Sequence, residues 1–79
     1  EDLVKDIYRK YHTLLTDMLE DGKKDGSVRS DIDSFLYANI IMAVHTGMLV
    51  QWFVNEGSFD VRSFVRTIRD MLLKEITGK

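Results

Sequence analysis

Apolar residues recur at steps of three and four from the start of the chain. Leu3, Val4, Ile7, Tyr8, Tyr11, Leu14, Leu15, Met18 and Leu19 fall on one stripe. Lys5, Asp6, Arg9, Lys10, Thr13, Asp17 and Glu20 fall on the other side. This period predicts an amphipathic helix over about residues 2–25. Gly22 would cost its last turn about 1 kcal/mol relative to alanine. Gly26 is the expected stop, because glycine takes the left-handed conformation that closes a helix. A second pattern of the same kind carries Val61, Phe64, Val65, Ile68, Met71, Leu72 and Ile76 opposite Arg62, Arg66, Arg69 and Lys74. It predicts a helix over about 60–76, capped by Asp60 or Ser58 after the turn signal Asn55-Glu56-Gly57-Ser58.

Between them lies FLYANIIMAVHTGMLVQWFV, residues 35–54, inside a stretch with no Asp, Glu, Lys or Arg from Ser34 to Asn55. A helix over about 32–55 is expected, with Ser30 or Asp31 as its cap and Asp33 in its first turn, where the helix dipole favours negative charge. About 20 apolar residues would span a bilayer. Asn39, His45, Thr46 and Gln51 interrupt the run, however, and each is costly in lipid without a partner, so a water-soluble setting is expected. The fold class is therefore all-α, three helices in one domain, with no repeat, low-complexity tract or internal linker.

On a helical projection Asn39, Ala43, Thr46, Val50 and Phe53 gather on one side, with Gly47 at its edge. Tyr37, Ile41, Val44, His45, Met48 and Trp52 gather on the other. Ala43 and Gly47, small and four apart, would let another helix approach closely. A helix apolar all round must be covered all round, and two amphipathic neighbours cover only part of it. The rest must come from further helices upstream, from a second copy of the chain, or from both.

Size sharpens this point. Seventy-nine residues make one domain, and at this length folding buries only about 60% of the unfolded chain's surface. Disulfides are excluded by the absence of Cys, which also fits a reducing, cytoplasmic setting. His12 and His45 are too far apart to share a helix face, so neither a metal site nor any other cofactor is expected. Oligomerisation is the remaining remedy. A net charge of −2 and a pI near 5.6 give no electrostatic footprint for nucleic acid. The chain opens on Glu-Asp, with no secretory signal, and enters a helical pattern at once without Met. It is expected to be part of a longer protein.

Three features follow one another: LEDGKKDGSVRSDID at residues 19–33, the uncharged helix with HTGMLVQWFV, and DVRSFVRTIRDMLLKEI at 60–76. Together they resemble the C-terminal portion of a TetR-family transcriptional regulator. The matching positions are Gly22, Gly26, Arg29, Asp31, Ile32, Asp33, Gly47 and Trp52. The resemblance covers essentially the whole chain, residues 1–79, and about the last two-fifths of a typical member. It implies a homodimer in which the last two helices, 34–55 and 60–76, pack against the same pair of a second copy as an intersubunit four-helix bundle. It also implies a small-molecule pocket, and DNA contacts made only by an N-terminal helix-turn-helix absent from this chain.

Two sets of site residues follow. A pocket for a small apolar or aromatic effector would have Ile41, His45, Met48 and Trp52 on one wall, facing Tyr11, His12 and Leu15 of the first helix. The dimer interface would take Asn39, Ala43, Thr46, Gly47, Val50 and Phe53 with Phe64, Val65, Ile68 and Leu72, although which side of the middle helix meets the partner stays open. The plain reading of His45 is a buried histidine with one hydrogen-bond partner. Trp52 and Phe53 point to different sides, so one can serve the core and the other the partner. Arg62, Arg66 and Arg69 alternate with Asp60, Asp70 and Glu75, as on a solvated face. The expected function is regulatory: dimerisation and effector sensing, relayed to absent DNA-binding heads. The alternatives are a structural dimerisation module without ligand, or an acyl-carrier-like protein modified on Ser34. An acidic helix should follow a carrier's serine, and here the next helix is uncharged. No nucleophile arrangement or phosphate loop points to an enzyme.

Overall fold

A computed structural model describes residues 2–78, and three helices account for nearly all of them: α1 Asp2–Asp25, α2 Ser34–Val54 and α3 Val61–Thr77. The all-α expectation holds. α1 ends where Gly26 takes a φ of 86°, the conformation a side chain would resist. Two boundaries differ from the sequence reading. α2 begins at Ser34 rather than near 32, and its cap is Asp33, whose carboxylate accepts from the Leu36 amide at 3.1 Å. Asp31 is unavailable as a cap because the Arg29 guanidinium holds both its oxygens, at 3.0 and 2.8 Å. α3 starts one residue late, at Val61, with Asp60 as its cap, accepting from the Ser63 amide and hydroxyl at 3.1 and 2.7 Å.

Gly22 has a different role from the local weakness read into it. It is buried, and the chain leaving α1 folds back so that the Val28 amide donates to the Gly22 carbonyl at 3.0 Å. A Cβ on Gly22 would lie 3.1 Å from Val28 Cβ and closer still to its methyl. The glycine that weakens the helix lets the loop close on it.

α2 packs on α1, and the residues it buries are Ser34, Ala38, Met42 and, further along, Met48. The Ser34 hydroxyl donates to the Glu20 carboxylate, and Leu19 and Ile32 close the core beside them. α1 positions 12 and 20 lie about 12 Å apart along their helix, yet both reach residues 34–35. The start of α2 thus lies across the middle of α1. α3 meets α2 more sparsely, and α1 and α3 do not pack together.

A second tie holds α3 by its far end. The Arg29 amide donates to the Ile76 carbonyl at 2.7 Å, and its guanidinium reaches the Glu75 carbonyl at 3.2 Å. These bonds satisfy carbonyls that a helix end otherwise leaves open. The positive charge also suits the negative end of the helix dipole.

The result is a slab of 41 × 34 × 14 Å with a radius of gyration of 14.2 Å, against about 12 Å for a compact chain of this length. Fourteen ångströms between Cα atoms is what two helices packed at 8–10 Å occupy, so α2 is enclosed nowhere along its length. The accessible surface is 6148 Å², where a compact chain of this mass exposes about 4,900 Å².

Candidate functional site

α2 and α3 border a groove of about 170 Å³ lined by Ile41, Val44, His45 and Met48 from one side and Phe64, Val65, Ile68 and Leu72 from the other. Turn chemistry sets the opening between the two helices. Asn55 closes α2, its amide and its side-chain amide both donating to the Gln51 carbonyl, at 3.0 and 2.7 Å. The chain reverses through Glu56 and Gly57, and Phe59 packs against Phe64 with the rings tilted by 56° and their centroids 5.3 Å apart. From Val61 onward the apolar stripe of α3 faces the apolar side of α2.

His45 is the one titratable group in this groove. It is exposed, not the buried histidine expected, and its Nδ1 lies 3.2 Å from the Tyr11 hydroxyl of α1. The buried histidine is His12, whose Nε2 donates to the Phe35 carbonyl at 3.2 Å while its ring meets the Phe35 ring edge to face at 4.3 Å.

The residues named for an effector pocket are therefore divided. Ile41, His45 and Met48 share the α2–α3 groove, and Tyr11 touches it through His45. His12 belongs to a second cleft, at the start of α2, with Tyr8, Arg9, Thr13, Phe35 and Asn39. Leu15 is half-buried along α1. Trp52 covers the turn, close to Gly57.

The residues named for the interface are divided too. Phe64, Val65, Ile68 and Leu72 line the groove, and Asn39 lies in the second cleft. Ala43, Thr46, Val50 and Phe53 stand exposed on the outer side of α2, with Phe53 77% accessible. Nothing lies within 4 Å of the position a Cβ would take at Gly47, so no helix of this chain uses the close approach the small residues permit.

Sequence reasoning passed over Val44, Tyr8, Arg9, Thr13 and Phe35 as groove residues. Val44 was legible from the projection. The others were not, because which faces of two helices meet depends on their crossing, and periodicity within one helix carries no record of it.

Electrostatics serve structure more than chemistry. The Ser34 hydroxyl, then Lys23 at 2.9 Å, lower the Glu20 pKa. The Arg29 guanidinium lowers Asp31, and the Ser63 hydroxyl and amide lower Asp60. Ser34 itself is buried and committed to Glu20, which leaves it poorly placed to carry a prosthetic arm. Asp31 and Asp33, the paired carboxylates at the loop, are an Arg29 partner and a helix cap. Among the described residues no group of His, Asp or Glu is arranged to hold a metal ion.

Comparison with known proteins gives one match. A family model described as the C-terminal region of YsiA-like protein, of the TetR type, matches residues 2–75. No curated protein and no solved structure matches the chain. With nearly every residue inside the match, and three helices in the order the resemblance implies, the chain belongs to this family of TetR-type C-terminal regulatory domains.

Proposed function

We propose that the chain is the dimerisation and effector-sensing part of a cytoplasmic bacterial transcriptional regulator, homodimeric in its working form. Its DNA-binding helix-turn-helix heads would lie upstream, and it would repress or activate only through them. The observation that carries this reading is the uncovered α2. Only Ser34, Ala38, Met42 and Met48 of its 21 residues are buried, in a helix without a charged side chain. The surface in excess of a compact chain is roughly 1,200 Å², within the range that one protomer contributes to an obligate interface, about 1,000–2,500 Å². A second copy laid on α2 and α3 would cover Phe53, Val50 and Val65 and use the open approach at Gly47.

The same arrangement supports a sensing role. α1 is joined to α2 by Tyr11–His45 and His12–Phe35 and to α3 through the Arg29 loop. A ligand that binds better to one setting of α1 against α2 would shift the dimer between two states by its differential affinity. No catalytic constellation favours a chemical role.

Light scattering after size exclusion on the intact protein is expected to give the mass of a dimer. A monomer would overturn the dimerisation reading. A thermal-shift screen of small apolar and aromatic compounds is expected to find one that raises the melting temperature and changes operator binding. A dimer indifferent to every such compound would be a structural module.

A further inference from the structure

The second cleft has a composition unlike the apolar groove. Tyr8, Arg9, His12 and Thr13 of α1 and Phe35 and Asn39 of α2 surround about 440 Å³. No carboxylate lines it. Arg9 makes no ion pair among the described residues, as is the case for most of the basic side chains there. The side chains of Tyr8, Thr13 and Asn39 are likewise free of hydrogen-bond partners there.

His12 anchors the arrangement. The residue is buried, at 8% accessibility, and its ring is held by Nε2 donating to the Phe35 carbonyl. Since a carbonyl only accepts, Nε2 carries the proton. Nδ1 then has no protein partner, and it is not sealed off, since no buried side-chain nitrogen is left unsatisfied among the described residues. A cation, two hydroxyls, an amide and an imidazole thus belong to side chains that line one cleft together with Phe35. Convergent polar groups on an aromatic wall are the makings of a ligand site.

We propose that this cleft binds a small aromatic carboxylate, with Arg9 pairing the acid and Phe35 and Tyr8 contacting the ring. Asn39 and Thr13 hydrogen-bond the carboxylate edge, and His12 Nδ1 meets a ring substituent or the acid itself. Arginine suits the role because its planar fork matches a carboxylate with two parallel bonds. The proposal deepens the sensing reading and rests on it. A ligand here would wedge α1 against the first turns of α2, where Asp33, Ser34 and Phe35 set the angle between the two helices.

The test is a titration of the protein with sodium benzoate, followed by amide and side-chain NMR, with benzylamine and benzyl alcohol as the cationic and neutral forms of the same body. Saturable shifts at residues 8–13 and at the Asn39 side chain are expected with benzoate and absent with benzylamine. Arg9→Gln, an exposed substitution that leaves the core untouched, is expected to weaken benzoate roughly tenfold or more. His12→Gln should weaken it as well, with the NMR spectrum reporting whether the fold survives.

Equal response to benzoate and benzylamine, or unchanged affinity in Arg9→Gln, would overturn the site. Benzoate shifts centred on Ile41 and Met48 would also overturn it, while leaving effector sensing standing. Shifts confined to the cleft with operator binding unaltered would confirm the site and remove the sensing role.

Discussion

Gly22 is held between two opposing effects whose sizes can be compared. Alanine there would gain up to about 1 kcal/mol of helix propensity. It would also press its Cβ into Val28, whose own Cβ stands 3.1 Å away, and overpacking of this kind costs about 1–3 kcal/mol. The loop is pinned by the Val28 amide and by Arg29, so Val28 has little freedom to yield. Gly22→Ala is therefore expected to lower stability by about 1 kcal/mol, read from the midpoint of urea unfolding. A gain in stability would mean that the loop moves freely. The same scale shows why one cap was misread. Asp31 and Asp33 are equivalent as acids ahead of an apolar run, and only the three-dimensional position of Arg29 removes Asp31 from the choice. His12 and His45 were likewise indistinguishable by composition. The crossing of α1 and α2 buries the first and exposes the second.

Among the elements, α3 is the least supported. It is attached at its start by the turn after α2 and at its end by Arg29, with sparse packing between. Removing the guanidinium in Arg29→Ala leaves the backbone bond to Ile76 but opens the Glu75 carbonyl and frees Asp31. Amide exchange in the last turn of α3 is expected to quicken several-fold, with α1 and the first half of α2 unchanged. Uniform quickening along the chain would mean that the three helices open as one unit. The existence of each helix was plain in the sequence because charge and periodicity mark it twice over. What covers each helix was not. Leu3, Val4, Ile7, Leu14 and Met18 belong to a stripe that reads as core, yet they are exposed, Leu3 by 70%. Periodicity reports that a face is apolar and says nothing of the surface that meets it. For the same reason the residues chosen for an effector pocket fall in two places, Ile41, His45 and Met48 in the α2–α3 groove and His12 in the cleft between α1 and α2.

At the scale of the molecule, a slab 14 Å thick leaves much of its apolar surface uncovered by its own helices. If the chain works as the proposed dimer, its stability is a property of the pair, and mass action enters it directly. Its melting temperature is expected to rise with protein concentration, by several degrees over a hundredfold range, in scanning calorimetry or circular dichroism. A constant melting temperature would show that the slab stands alone. The same arithmetic extends to the cell. A regulator made in few copies would sit closer to its unfolding equilibrium than an abundant one. Its turnover by proteases would then fall as its synthesis rises, and in the proposed dimer the thinness of the fold would tie the lifetime of the protein to its own abundance.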